Sequence, residues 1–568
     1  MKKLILCTLA IVSILGFCFR KNIVKACTEM LDPGIFRVIF FSPNLQSDSS
    51  NYPFFYSYMS VYSRDEPLNP VDTNLGEWKN YFQNKAPKKD IEKVVYKLNV
   101  KTLEYIAINK IIPDSLTNNK CLALLIQNKY KEALDYLIFS KNCEPYVTFP
   151  ADDWDPLPRD TSKMPALISK GIIDCKKTKD AFIKLRYAYQ IVRLAQYSGD
   201  NADAIKLYDE FIEKSKVKST IKNWALLIKA VALLNTNNKV EADYLLSHVF
   251  DACKEKKIVA FQYFHDFGTT ENNSENVLAL CKNNHEKAVV MAMQATGQDG
   301  FYPQGLTDVY QYEPNSPLLE NLIIREISKA EDALMTRKFY GKNFDYMDHS
   351  SDSSYTKEPG LVNLQSILNT FISENKIKNK ALLYLSKSYV SLMMQNKTAC
   401  NQLLAEAKPF CEDNEKMEEE RHFLLILNRI NSYKTITPEI ENEMVPDLIW
   451  LSKCKNINTS IQPTASFYGE IMRLLAVKYM SQHDVAKAIL CYNKSGIIYQ
   501  NNMYLNECYT LISDSGNHQN LAQLDDLLYK KNKNDFENLI TDSFQFSRNR
   551  MLDFEGTFYL RDFNFKEA

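Results

Sequence analysis

The apolar positions of residues 474–495, LLAVKYMSQHDVAKAILCYNKS, fall in a double helical rhythm. Leu475, Tyr479, Ala488 and Tyr492 are spaced by four, nine and four. Steps of four keep side chains on one helix face. The gap of nine predicts one helix, a short turn at Gln482-His483-Asp484, and a second helix.

Related stretches recur. SGDNADAIKLYDEF, residues 198–211, has the turn Gly199-Asp200, then Ala204 and Tyr208. NKYKEALDYLIFSKNCEP, residues 128–145, offers Ala133 and Leu137, with Pro145 closing the unit. Ala242, Ala288 and Ala399 take the equivalent small-residue position in three weaker copies. The copies span roughly residues 90–300 and 360–530.

This pattern resembles the tetratricopeptide repeat, a helix–turn–helix unit of about 34 residues. Leu475, Ala476, Tyr479, Asp484, Ala488, Tyr492 and Ser495 match its positions, and His483 stands where the family usually has Gly. The resemblance implies an all-α chain, a tetratricopeptide-like α-solenoid of helix–turn–helix units. Its small residues would let paired helices approach, and its aromatics would fill the gap to the next unit. It also implies a concave face on the first helix of each unit. Mapped onto the copy at 198–211, that face carries Arg186, Tyr189, Arg193, Gln196 and Tyr197, a set suited to a peptide or carboxylate.

Other segments break the rhythm. Residues 27–89 are aromatic and proline-rich, and are read as a small irregular N-terminal cap over the first helices; IFRVIFF, residues 35–41, suits a short strand or a buried extended run. Residues 144–165 read as a loop inserted into repeats 90–300. Residues 301–360 read as irregular loops plus one helix, followed by repeats at 361–535 and a C-terminal cap at 536–568. Phe301, Tyr302, Tyr310 and Tyr312 form a second candidate for binding a partner or stacking on a sugar.

Composition narrows the function. Only 15 of 568 residues are Gly, too few for a mostly β chain or a phosphate-loop enzyme. Basic and acidic residues balance at 69 each, which argues against nucleic-acid binding. Lys2, Lys3 and the apolar run 4–19 read as a signal peptide ending at Ala26. An uncleaved anchor, or lipidation at Cys27 or Cys18, is the lesser alternative. No further apolar run of spanning length follows, so no membrane span is expected after cleavage. FFSPN at 40–44, PFFYS at 53–57 and LLENLIIREISKAEDALMT resemble uncharacterised exported proteins of Bacteroidota-type bacteria, implying a Gram-negative periplasm or outer membrane.

Catalytic and metal motifs are missing. No two of the seven His lie within fifteen residues, and no C-x-x-C, G-x-S-x-G or Walker A motif occurs. The acidic groups Asp152, Asp153, Asp155, Asp160 and Asp345, Asp348, Asp352 read as solvated loops. Cysteines read as small buried apolar residues, with Cys400–Cys411 and Cys491–Cys508 the nearest pairs should any oxidise. No cofactor is expected. The resulting expectation is a non-catalytic scaffold binding a protein or peptide in the cell envelope. Its alternatives are a glycan- or ligand-binding outer-membrane lipoprotein, or an enzyme with its site in the loop insertions. The repeat register makes one prediction: Ala488→Leu should destabilise the C-terminal units by about 1–3 kcal/mol in denaturant unfolding.

Overall fold

The computed structural model describes residues 39–55, 72–148, 160–268, 274–298, 300–336, 358–454, 466–495, 511–512, 517–544 and 546–567. Among them the chain is all-α, without a strand. The first helices are α1 Thr73–Tyr81, α2 Lys88–Glu92, α3 Val100–Asn109, α4 Lys120–Leu125, α5 Lys131–Val147, α6 Met164–Lys177, α7 Ala181–Tyr197, α8 Asn201–Tyr208 and α9 Thr220–Asn235. Next come α10 Lys239–Ala252, α11 Lys257–Phe267, α12 Ser274–Leu280, α13 Asn284–Gly297, α14 Gln304–Tyr310, α15 Pro317–Glu331, α16 Glu358–Glu374, α17 Lys380–Met393, α18 Lys397–Cys411 and α19 Glu415–Ser432. The last are α20 Pro438–Lys453, α21 Phe467–Ser481, α22 Val485–Lys494, α23 His518–Tyr529, α24 Asp535–Thr541 and α25 Arg548–Arg561. Many helices pack chiefly on their chain neighbours, but α5 packs chiefly on α7 and α20 chiefly on α24, and α7 also reaches α9 directly.

One reversal recurs at α7–α8, α9–α10, α17–α18 and α21–α22. A left-handed residue stands at Gly199, Asn237, Gln395 and His483. The next residue, Asp200, Asn238, Asn396 or Asp484, donates its N–H to a carbonyl five residues back, at 2.8–3.1 Å. That bond closes the first helix and opens the second. Asp200, Asn396 and Asp484 also cap the second helix with their side chains. Four residues on stands a fully buried small residue: Ala204, Ala242, Cys400 and Ala488. Ala133 and Ala288 are equally buried. The register at α18 therefore differs from the sequence reading by one. Ala399 is half-buried, and Cys400 faces the core. Leu475, Tyr479 and Tyr208 are buried, and Tyr492 is half-buried.

The N-terminal part corrects the expected cap. Residues 35–38 lie outside the described set, and 39–41 form neither helix nor strand. Residues 39–55 do not lie over the first helices. They sit in the second core, where Phe41 stacks on Tyr389 of α17, Phe40 meets Phe423 of α19, and Phe54 meets Phe250 and Phe261. Short 3-10 turns at Pro43–Leu45 and Ser49–Phe54 leave other backbone groups of this segment without helix or strand partners, so side chains supply them. Glu331 accepts from the N–H groups of Phe40 and Phe41 and from the Tyr389 hydroxyl. Glu420 accepts from Ser42 N–H at 3.3 Å. Burial, reinforced by the charge of Glu331, pushes the Glu420 carboxyl well above its usual range. Asn321 donates to Gln46 and to the Asn51 carbonyl, and Arg325 donates to the Phe54 carbonyl.

The element over the first core is α1. Trp78 is enclosed by Phe82, Tyr136 and Phe182. Glu77 accepts from Arg186 of α7 and from Ser219 and Thr220 at the start of α9. A carboxylate at a helix start meets unsatisfied N–H groups and the positive dipole end.

Two loop boundaries also shift. α5 continues through Pro145 to Val147 and α6 begins at Met164, so the loop is shorter than 144–165. Residues 304–310 form α14 where an irregular loop was expected. No helix of the described residues is long and apolar enough to cross a membrane.

The left-handed positions give a paired prediction. A Cβ at Gly199 would meet nothing within 4 Å, so Gly199→Ala tests backbone strain alone. It should lower the unfolding free energy by about 1 kcal/mol, and Gln395→Gly should raise it by about 0.5–1 kcal/mol, both read by denaturant unfolding.

Candidate functional site

The structure divides the five residues predicted on the α7 face. Arg186 is buried. It bonds Asn74 at 2.8 Å and Glu77 at 2.9 Å, and its guanidinium lies over the rings of Phe182 and Trp78. It joins α7 to α1 and is inaccessible to a partner. Tyr189 is also buried, with its ring against Trp224 of α9. Sequence spacing identified the inward-facing stripe of α7 but carried no sign that α1 covers half of it.

Arg193, Gln196 and Tyr197 are half-buried on the last two turns of α7. Arg193 donates to the Val147 carbonyl at 2.9 Å and lies over Tyr197. Three further residues sit beside them: Trp224 on α9, Lys256 just before α11, and Tyr263 on α11. The Lys256 ammonium lies 5.1 Å from the Trp224 ring centre. Phe267, next to Tyr263 at 5.7 Å between ring centres, is exposed. Burial, with the charge of Arg193 added, holds Lys256 below the ordinary lysine value. Glu255 is engaged by Thr73, Thr220 and Trp224; these bonds outweigh its burial and keep it ionised.

Three adjacent helical segments thus present two cations among aromatic rings on a partly exposed surface. Such a surface binds carboxylates by charge-assisted hydrogen bonds and apolar groups by ring contact. Lys256, Tyr263 and Phe267 escaped the sequence reading because α11 carries no repeat signature to set its register, and Trp224 escaped it because its neighbours there come from α11.

The aromatic loop candidate mostly closes the second core. Tyr310 is buried, stacks on Phe371 at 4.2 Å and donates to Glu374. Phe301 packs over Gly360 and Tyr312 lies under Lys287, both half-buried. Tyr302 alone of the four is exposed, at 37%, while its backbone N–H is anchored on Glu326. Nearby, a cavity of about 400 Å³ is seamed by Glu320, which accepts from Ser47 N–H and Asn379.

Among the described residues no three His, Cys, Asp or Glu side chains are grouped to hold a metal ion. Asp152, Asp153, Asp155, Asp345, Asp348 and Asp352 lie outside the described residues. The described cysteines are free. Cys400 and Cys411 lie on one helix, about 16 Å apart along its axis, so they cannot pair. Cys508 lies outside the described residues.

His285 instead joins three helical segments. One ring nitrogen meets Asp251 of α10 at 3.0 Å, and the other meets Glu313 after α14 at 2.9 Å. Burial alone would lower its pKa, but the bonds and charges of both carboxylates raise it above the ordinary imidazole value. A raised folded pKa contributes stability below the unfolded value of 6.5, and that stability is lost as pH rises through the folded value. His285→Gln should therefore cost more stability near pH 5.5–6 than near pH 9 in parallel denaturation series, with a modest difference because the ring is half exposed. No family model, curated protein or solved structure matches the chain.

Proposed function

We propose that this chain is a tetratricopeptide-like α-solenoid exported to a Gram-negative envelope, where it acts as a non-catalytic scaffold for a protein partner. The repeated reversal at Gly199, Asn237, Gln395 and His483, each followed by a buried small residue, supports the repeat reading. The export reading rests on residues 1–26, which lie outside the described residues.

The observation that carries the binding role is the surface of α7, α9 and α11. Arg193 and Lys256 stand among Tyr197, Trp224, Tyr263 and Phe267, and Glu255 is already engaged by three donors. Aromatic and arginine side chains dominate binding energy at interfaces. The occupant that fits is an acidic, partly apolar segment of a partner.

The test is recovery of envelope proteins on the tagged mature chain, with and without Arg193→Ala and Lys256→Ala. A shared partner should be recovered by the wild type and lose about tenfold or more in affinity with the double variant. Equal recovery by the variant, or binding to glycans with no protein recovered, overturns the reading.

A further inference from the structure

A separate cavity of about 460 Å³ lies between α18, α19 and α20. That volume suits a small organic ligand. Leu425 and Ile426 give it an apolar wall. His422 extends that wall and meets Trp450 at 4.1 Å between ring centres, the rings tilted by 38°. Burial, with the charge of Arg421 added, lowers the His422 pKa below the ordinary imidazole value.

The charged lining is unbalanced. Lys397 and Arg429 supply two positive charges, and Asp447 supplies one negative charge by pairing with Arg429. Arg429 keeps 38% of its side chain exposed. Lys397 places one ammonium hydrogen on the Asn431 carbonyl at 3.3 Å, which leaves two for another acceptor. Asn428 is 2% exposed and donates to the Lys397 carbonyl and to Asn401, which fixes the start of α18 against α19. One surplus positive charge beside apolar and aromatic walls is the complement of a monoanion with a flat apolar body. A strongly hydrated dianion such as phosphate would lose its water against Leu425 and Ile426 without replacement.

We propose that this cavity binds a small aromatic or apolar monocarboxylate, with the carboxylate on Lys397 and Arg429 and the ring against His422 and Leu425. The site is independent of the α7–α9–α11 surface.

Calorimetric titration of the full chain with indole-3-acetate, indole-3-acetamide and inorganic phosphate tests it. Indole-3-acetate should bind more tightly than about 1 mM, and the neutral amide about tenfold or more weakly. Phosphate should give no competing heat. Lys397→Gln, at a half-buried helix start, should weaken indole-3-acetate about fivefold or more while the helical circular dichroism is unchanged. Arg429→Gln should weaken it further. Equal affinity for acetate and amide, phosphate competing at similar concentration, unaltered binding in a folded Lys397→Gln chain, or no binding of indole-3-acetate each overturns the proposal.

Discussion

An irregular segment buried in a helical core has backbone groups that neither a helix nor a strand fully satisfies. That constraint organises the second core of this protein. Residues 39–55 enter it with Phe40, Phe41, Phe54 and Phe55 almost fully buried. Burying their backbone without partners would cost about 1–3 kcal/mol per group. The chain answers with polar side chains placed where an all-apolar core would otherwise suffice. Every residue of α15 from Asn321 to Glu331 is buried, including Asn321, Arg325, Glu326, Lys329 and Glu331. Asn321, Arg325 and Glu331 serve the inserted segment. Arg325 and Lys329 also donate to carbonyls at the end of α13, where helix C-termini leave acceptors open. Polar positions of α15 that look solvent-facing in sequence are therefore internal.

The same point explains what the sequence made legible. Local signals survived: the turn at His483-Asp484 and the small residues Ala204, Ala242 and Ala488 depend on neighbours within one hairpin. Ala399 failed by one residue because adjacent Ala and Cys are both small, and only the cap at Asn396 fixes which of them faces inward. The placements that failed more fully involve distant partners. Arg186 looked like a surface cation because nothing near it in sequence announces Glu77 and Trp78. Of the cap at 27–89, α1 does cover the nearest helices, whereas residues 39–55 pack on helices two to four hundred positions away.

The candidate partner surface sits where these two kinds of signal meet. α7 and α9 are held by local packing, and α1 ties them together through Glu77. Glu255 then joins the start of α1, the start of α9 and Trp224 in one set of bonds. Trp224 and the aromatic residues beside it are consequently presented on a braced surface, so little ordering remains for a partner to impose.

The inserted segment has a temporal consequence. A ribosome releases Phe40 and Phe41 long before Glu331, Tyr389 and Glu420 exist. The first core, from Leu75 to Ala232, draws its contacts from sequence-near helices and can consolidate early. The second extends from Ile39 to Phe558, and Phe40 and Phe41 meet their partners only once Glu331, Tyr389 and Phe423 are present. Joining the two ends of this core is a long-range loop closure, whose entropic cost the first core does not carry.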